Sequence, residues 1–247
     1  MPMESPAIIL DNIILGFTGK KLFDGFSVEI PAQRCTCLLG PSGCGKSTLL
    51  RLVSGDRRLK FTGNVRFFSD GGHISPISWM AQDDLLLPWL TVLDNIMLGA
   101  RLRGEICPEL TAKAQRLLVD AGLEENGTAY PGQLSGGMRQ RVAMLRTLVE
   151  DRPVILMDEP FSALDALNRM RLQNLAARLT KGKTVVAVTH DPMEALRLAD
   201  RIIVLHGHPV RVTAVLDLHG TPPRDPADHE VQQAYPRLLS RLMTEVH

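Results

Sequence analysis

Nine consecutive residues, Gly40-Pro41-Ser42-Gly43-Cys44-Gly45-Lys46-Ser47-Thr48, combine small side chains with one lysine and two adjacent hydroxyls. They satisfy the pattern G-x-x-x-x-G-K-[ST] completely, and the chemistry it serves is the grip of a phosphate chain. Small residues let successive backbone N–H groups turn inward around phosphate oxygens, and a helix beginning there adds positive potential. Lys46 then reaches the β- and γ-phosphates, and the Ser47 hydroxyl ligates Mg²⁺. A dinucleotide loop does not fit, because Gly43-x-Gly45 lacks a third glycine at the required offset. A second constellation is Val154-Ile-Leu-Met-Asp158-Glu159-Pro160, an apolar run ending in two acids. At the carboxyl end of a strand Asp158 can hold Mg²⁺, usually through water, and Glu159 can polarise an attacking water. Alone, such a strand end reads equally well as two solvated acids. Beside the phosphate cradle it becomes the acidic half of one site.

The elements that must carry these residues alternate along the chain. Arg34–Leu39 is apolar enough for a buried strand, and Ser47–Val53 reads as a helix closed by Gly55. From about Ala7 to Leu39 short strands and turns dominate, with Phe26–Ile30 alternating at period two. Phe61–Trp79 contains further strand-like segments, with Asp70-Gly71-Gly72 as a turn. From Pro88 to Glu150 the texture is helical. Pro108 opens a helix with Leu110, Ala114, Leu117, Leu118 and Ala121 on one face, and another carries Met138, Val142, Leu145 and Val149. Strand–helix alternation then returns: Val154–Asp158 a strand, Leu167–Leu179 a helix, Thr184–Thr189 a strand, Pro192–Ala199 a helix and Arg201–Leu205 a strand. This order predicts a mostly parallel sheet covered on both faces, with a helical insertion. Pro222-Pro223-Arg224-Asp225-Pro226 marks a loop before a short, peripheral C-terminal helix.

Composition excludes several classes. The 247 residues carry 28 Lys plus Arg against 27 Asp plus Glu, a balance that gives no support for nucleic-acid binding. The longest apolar runs are of strand length, far too short to span a bilayer, and the first ten residues do not read as a signal peptide. Cys35, Cys37, Cys44 and Cys107 match neither a zinc nor a CxxC spacing, which leaves inert thiols and a reducing cytosol. His73, His206, His208, His219, His229 and His247 show no ligand spacing.

Leu134-Ser-Gly-Gly-Met138, followed by Arg139-Gln-Arg141, resembles the signature motif of ATP-binding-cassette (ABC) ATPases. The family's fifth residue is Gln. Met138 reads instead as helix packing, and the anion contacts fall to Ser135 and the backbone. In the family this motif faces the nucleotide of the other subunit, so the resemblance implies that Ser135, Gly136 and Gly137 complete the partner's site. Gln82, after Ile77-Ser-Trp-Met-Ala81, resembles the Q-loop glutamine that reaches Mg²⁺. Ser162-Ala-Leu-Asp165 resembles the D-loop that joins the two sites, with Asp165 as its acid. His190 resembles the switch histidine that holds the γ-phosphate, and Phe17 stands where the family stacks an aromatic ring on adenine.

The resemblance runs from about Ala7 to His208. It implies an α/β P-loop NTPase (RecA-like) core with a mostly parallel sheet, antiparallel strands at the N-terminus and an inserted helical subdomain. The expected organisation is one ABC ATPase domain, with 1–87 and 151–220 as core, 88–150 as helical subdomain and 221–247 as tail. It further implies ATP and Mg²⁺, catalysis by Lys46, Glu159 and His190, and metal contacts from Ser47, Gln82 and Asp158. The expected assembly is a head-to-tail homodimer on integral-membrane permease subunits, peripheral to the cytoplasmic face of the inner membrane, served indirectly by a substrate-binding protein. Leu86-Leu-Pro-Trp-Leu-Thr-Val-Leu-Asp-Asn95 resembles importers of the nitrate, sulfonate, taurine and thiamine-precursor group. Leu145–Pro153 leans towards the thiamine pyrimidine precursor. The competing readings are a soluble cassette ATPase without a permease and a non-hydrolysing nucleotide-binding regulator. Intact Lys46, Glu159 and His190 argue against the latter.

Overall fold

A computed structural model describes residues 5–68 and 76–244. The turn expected at Asp70-Gly71-Gly72 lies outside them. Two long strands, β1 (Ala7–Phe17) and β2 (Lys20–Ile30), form an antiparallel hairpin, and β3 (Cys35–Leu39) leads through the glycine-rich loop into helix α1 (Lys46–Val53). Strands β4 (Thr62–Phe68) and β5 (Ile77–Met80) follow. Four helices come next: α2 (Val92–Ile96), α3 (Leu98–Arg103), α4 (Pro108–Asp120) and α5 (Gly136–Val149). The alternation resumes with β6 (Val154–Asp158), α6 (Ala166–Leu179), β7 (Thr184–Val188), α7 (Pro192–Leu198) and β8 (Arg201–His206), and the chain closes with β9 (Arg211–Asp217) and α8 (His229–Thr244).

The strands make a three-stranded antiparallel sheet, β2-β1-β4, and a six-stranded sheet, β5-β6-β7-β3-β8-β9. The second is parallel except for β9, which runs antiparallel to β8. Its central strands are apolar at almost every position because both faces are covered. Period-two geometry deals alternate residues to two cores. Leu38, Val154, Leu156, Val186, Val188 and Ile203 face the small sheet and α1. Cys37, Leu39, Ile155, Met157, Val185 and Ala187 face α5, α6, α7 and α8. The helical spacing in α4 and α5 holds: Ala114, Leu117, Leu118, Ala121, Val142, Leu145 and Val149 are buried, and Met138 packs at the margin. Among the described residues no helix is long and apolar enough to cross a membrane.

Two sequence readings need correction. Strand β9 was not foreseen: no element was expected between Leu205 and Pro222. The C-terminal helix is neither short nor peripheral. It spans 16 residues, packs on α7 and buries Val231 and Leu238 in the helical-side core. Of the four thiols, Cys37 and Cys44 are buried, Cys35 is half-buried and Cys107 is exposed.

Candidate functional site

The phosphate cradle is held from both flanks by contacts that tolerate only glycine. A Cβ on Gly40 would lie 2.3 Å from the Leu205 carbonyl oxygen, a backbone atom of β8 that cannot retreat without opening the sheet. Gly45 caps α1 at φ 96°, and a Cβ there would press on the Leu22 side chain of the β1–β2 hairpin. Gly43, in contrast, has open space around its Cβ position, on the exposed side of the loop. Lys46 is buried, and its Nζ donates to the Gly40 and Pro41 carbonyls at 2.7 and 2.8 Å. The cation therefore sits within the loop itself. Pro41, Ser42 and Ser47 are exposed, Cys44 is buried and Thr48 is half-buried.

Strand order brings the rest together. Because β7 lies between β3 and β6, the cradle after β3, the acids ending β6 and His190 after β7 converge at the carboxyl edge of the sheet. The Glu159 amide donates to the Val188 carbonyl at 2.9 Å, and the Thr189 amide to the Leu38 carbonyl at 3.2 Å. Asp158 is buried, and its Oδ1 has no hydrogen-bond partner. Burial raises its pKa, while the Ser47 hydroxyl and Lys46 pull it back. Ser47, Asp158 and Gln82 line one cleft of about 680 Å³ with Arg51. In the adjoining cleft Glu159 has φ 48°, a left-handed backbone rare for a side chain of its size. Its Oε1 lies 3.4 Å from His190 Nδ1.

The signature segment starts α5. Ser135 is the N-cap, its Oγ accepting from the Met138 amide at 3.3 Å. Neither cleft contains Ser135, Gly136 or Gly137. A Cβ on Gly137 would come within 3.1 Å of the Ala163 carbonyl oxygen, so α5 approaches the loop that ends at Asp165. Asp165 caps α6, and the Asn168 amide that it accepts lowers its pKa. Phe17 ends β1 half-exposed, opposite Lys20 and on the hairpin whose Leu22 abuts the cradle.

Sequence reasoning passed over four residues that hold these parts together. Gln140 is buried in α5. Its amide donates to the Glu159 carbonyl at 3.0 Å and the Ser162 hydroxyl at 3.1 Å, and its oxygen accepts from the Ala163 amide at 2.8 Å. Arg139 Nε donates to Asp84 Oδ2 at 2.9 Å, and Arg146 donates to the Asp84 and Leu85 carbonyls at 2.6 and 2.8 Å. The segment after Gln82 is thus bound to α5. The Arg139-Gln-Arg141 run was the available signal, but no rule of spacing says which carbonyls such side chains meet.

Glu194 of α7 is the fourth. It is buried in the cleft of Glu159 and His190, and burial pushes its carboxyl up to about 7 against hydrogen bonds from Thr189 and Gln173. Asp191 adds like charge, and Arg169 opposes it. The raised value means the native state keeps a proton that the unfolded chain gives up near 4.5. Stability conferred by that proton is complete below pH 4.5 and lost as pH rises to about 7. Glu194→Gln mimics the protonated form. It should match the parent near pH 4.5 and exceed it by about 3 kcal/mol at pH 8. Thermal unfolding of both proteins across that range checks this. A gap that stayed constant with pH would refute it.

The parallel sheet, the cradle between β3 and α1 and the acidic end of β6 define a P-loop NTPase. The chain belongs to the ABC transporter family, whose pattern matches residues 23–162, and it is an ATPase cassette of that family. It is 41% identical over 226 residues to an uncharacterized ABC transporter ATP-binding protein of Haemophilus influenzae, covering 87% of this chain and 90% of that one. It is 38% identical over 242 residues to the aliphatic sulfonates import ATP-binding protein SsuB of Delftia acidovorans, covering 96% of each. Among solved structures, the dimeric cassette MJ0796 in a post-hydrolysis state with ADP and phosphate superposes with a TM-score of 0.74 at 31% identity, over 86% of this chain and 99% of that chain.

Proposed function

We propose that this chain is the ATP-hydrolysing subunit of an importer for a small solute, working as a head-to-tail homodimer on membrane permease subunits. One observation carries the hydrolytic half: a buried, partnerless carboxylate oxygen on Asp158 shares a cleft with Ser47 and Gln82, and the Glu159–His190 pair adjoins it. An orphaned buried acceptor beside a hydroxyl and an amide oxygen suits a hard divalent cation. Ser47, Asp158 and Gln82 would hold Mg²⁺, which when bound neutralises charge on the triphosphate. The backbone from Gly40 to Thr48 and the Lys46 cation grip the β- and γ-phosphates. Glu159 orients and polarises the water for in-line attack, and His190 holds the γ-phosphate geometry. Phe17 stacks on adenine. Ser135, Gly136 and Gly137 cap the nucleotide of the opposite subunit, in keeping with their place outside both clefts of their own chain, and Asp165 links the two sites.

The helices of residues 88–150 form the subdomain that meets the permease, with 1–87 and 151–220 as the core and 221–247 as a C-terminal extension. Trp89 is 70% exposed and Leu85 62% exposed, in a segment pinned from below by Asn95, whose amide donates to the Leu87, Leu90 and Thr91 carbonyls. A rigid loop with outward apolar side chains suits docking. Trp89→Glu should leave folding and basal ATPase rate within about twofold while abolishing capture of the permease. An intact complex from that variant refutes the docking role. Several relatives are named for aliphatic sulfonate import, which makes sulfonates the leading cargo class, ahead of the thiamine pyrimidine precursor. The cytoplasmic face of the inner membrane is the matching location.

The test is co-purification from membranes of tagged Glu159→Gln chain with ATP present. Recovery of a multi-spanning permease supports the importer reading, and its associated binding protein identifies the cargo. Recovery of a dimer alone leaves the soluble cassette ATPase.

A further inference from the structure

A cavity of about 260 Å³ lies under α6, on the helical face of the six-stranded sheet, and no step of ATP hydrolysis uses it. Its floor is Met157 of β6 and Ala187 of β7, with the half-buried Cys35 thiol at one side. Its roof is the Ala177 side of α6. The segment 221–223 closes one end. Alanines on the helix above an apolar floor are what opens this space. Longer side chains there would have filled it, as side chains fill most protein interiors.

We propose that this cavity binds a small anionic amphiphile, an alkyl chain among the apolar walls with a carboxylate or sulfonate head at the rim. Size sets the first limit: about 150 Å³ of dry apolar cavity already holds a benzene ring, so this one takes a body somewhat larger. Polarity sets the second, because the walls are apolar and concave, as in small-molecule sites. Charge sets the third. The lining includes two cations, Arg178 and Lys181, and no carboxylate. Arg178 is bonded to Asp120 at 2.5 Å, whereas Lys181 makes no ion pair among the described residues. With Arg178 paired to Asp120, Lys181 is the uncompensated charge of the lining, which favours an anionic head and disfavours an ammonium one. Phe161 lines both this cavity and the cleft of Glu159 and His190, so the two share a wall.

The probes are octane-1-sulfonate and octanoate, with octylammonium and octanol as controls, on the purified full chain. Calorimetry reads binding, and peptide mass spectrometry reads N-ethylmaleimide labelling of Cys35, with the exposed Cys107 as internal reference. Both anions should bind saturably and slow Cys35 labelling several-fold without protecting Cys107. Lys181→Glu, an exposed change, should weaken the anions about tenfold and leave octanol unaffected. Ala177→Phe should fill the cavity and abolish binding. Whichever of sulfonate and carboxylate binds tighter assigns the natural ligand to alkanesulfonates or to fatty acids. Equal binding of octylammonium, or unprotected Cys35 at saturating anion, overturns the proposal. These readouts are independent of ATP turnover and of any permease.

Discussion

Glu159→Gln should bind ATP with an affinity close to that of the parent and release phosphate roughly 10²–10⁴-fold more slowly. The amide keeps the size of the carboxylate and its place on the chain, so the backbone that presents it is undisturbed. That backbone is unusual. Glu159 holds φ 48°, with its amide bonded to the Val188 carbonyl and its own carbonyl bonded by Gln140. Such a conformation costs of order 1–3 kcal/mol and persists only where neighbours enforce it. Here the neighbours are β7 on one side and α5 on the other. The result is a carboxylate held 3.4 Å from His190 Nδ1, and the proposed role needs its negative charge, which the amide lacks. Nucleotide binding by equilibrium dialysis and phosphate release on the same preparation separate the two effects. Near-normal release would remove Glu159 from its role, and lost binding would mean that the change had damaged the cradle instead.

Arg224→Ala should cost about 3 kcal/mol, lowering the thermal midpoint by roughly 6–12 °C for a chain of this size. Arg224 is only 4% exposed and has no carboxylate partner among the described residues. Its guanidinium donates to four carbonyls instead: Leu196 at 3.2 Å, Ala199 at 2.7 Å, His219 at 2.7 Å and Gly220 at 3.3 Å. Two of these lie at the carboxyl end of α7, where orphan carbonyls and the helix dipole both favour a cation. Removing the side chain leaves buried acceptors without donors, which is dearer than losing a surface bond. Arg224→Lys should recover little, because an ammonium lacks the planar fork that spans both pairs of carbonyls. A midpoint within 2 °C of the parent, read by circular dichroism, would show that water replaces the guanidinium at small cost.

The two predictions differ in how far the sequence alone could reach them. Asp158-Glu159 at the end of an apolar run, beside an intact phosphate loop, is a local pattern, and local chemistry explains it. Arg224 sits in a proline-rich stretch that reads as a surface loop, and nothing near it in sequence hints at burial. Two of its four partners, Leu196 and Ala199, are 28 and 25 residues earlier in the chain. The same contrast separates Ser135, legible as the cap of a helix opened by two glycines, from Gln140, whose ties to Glu159 and Ala163 span 19 and 23 residues.

The sequence by itself determined the elements and their chemistry: the strand periods, the helical faces of α4 and α5, the glycine cradle and the order of the motifs. Each of these depends on residues within a few positions of one another, where backbone sterics and side-chain spacing act directly. Tertiary structure alone decided which strand ends meet. The order β6-β7-β3 sets Asp158, His190 and Lys46 along one edge, although they lie far apart in the chain. It also placed β9 against β8, drew α8 onto α7 and left a cavity beneath Ala177. Those outcomes come from packing distant apolar faces against one another, and such packing depends on the whole chain at once.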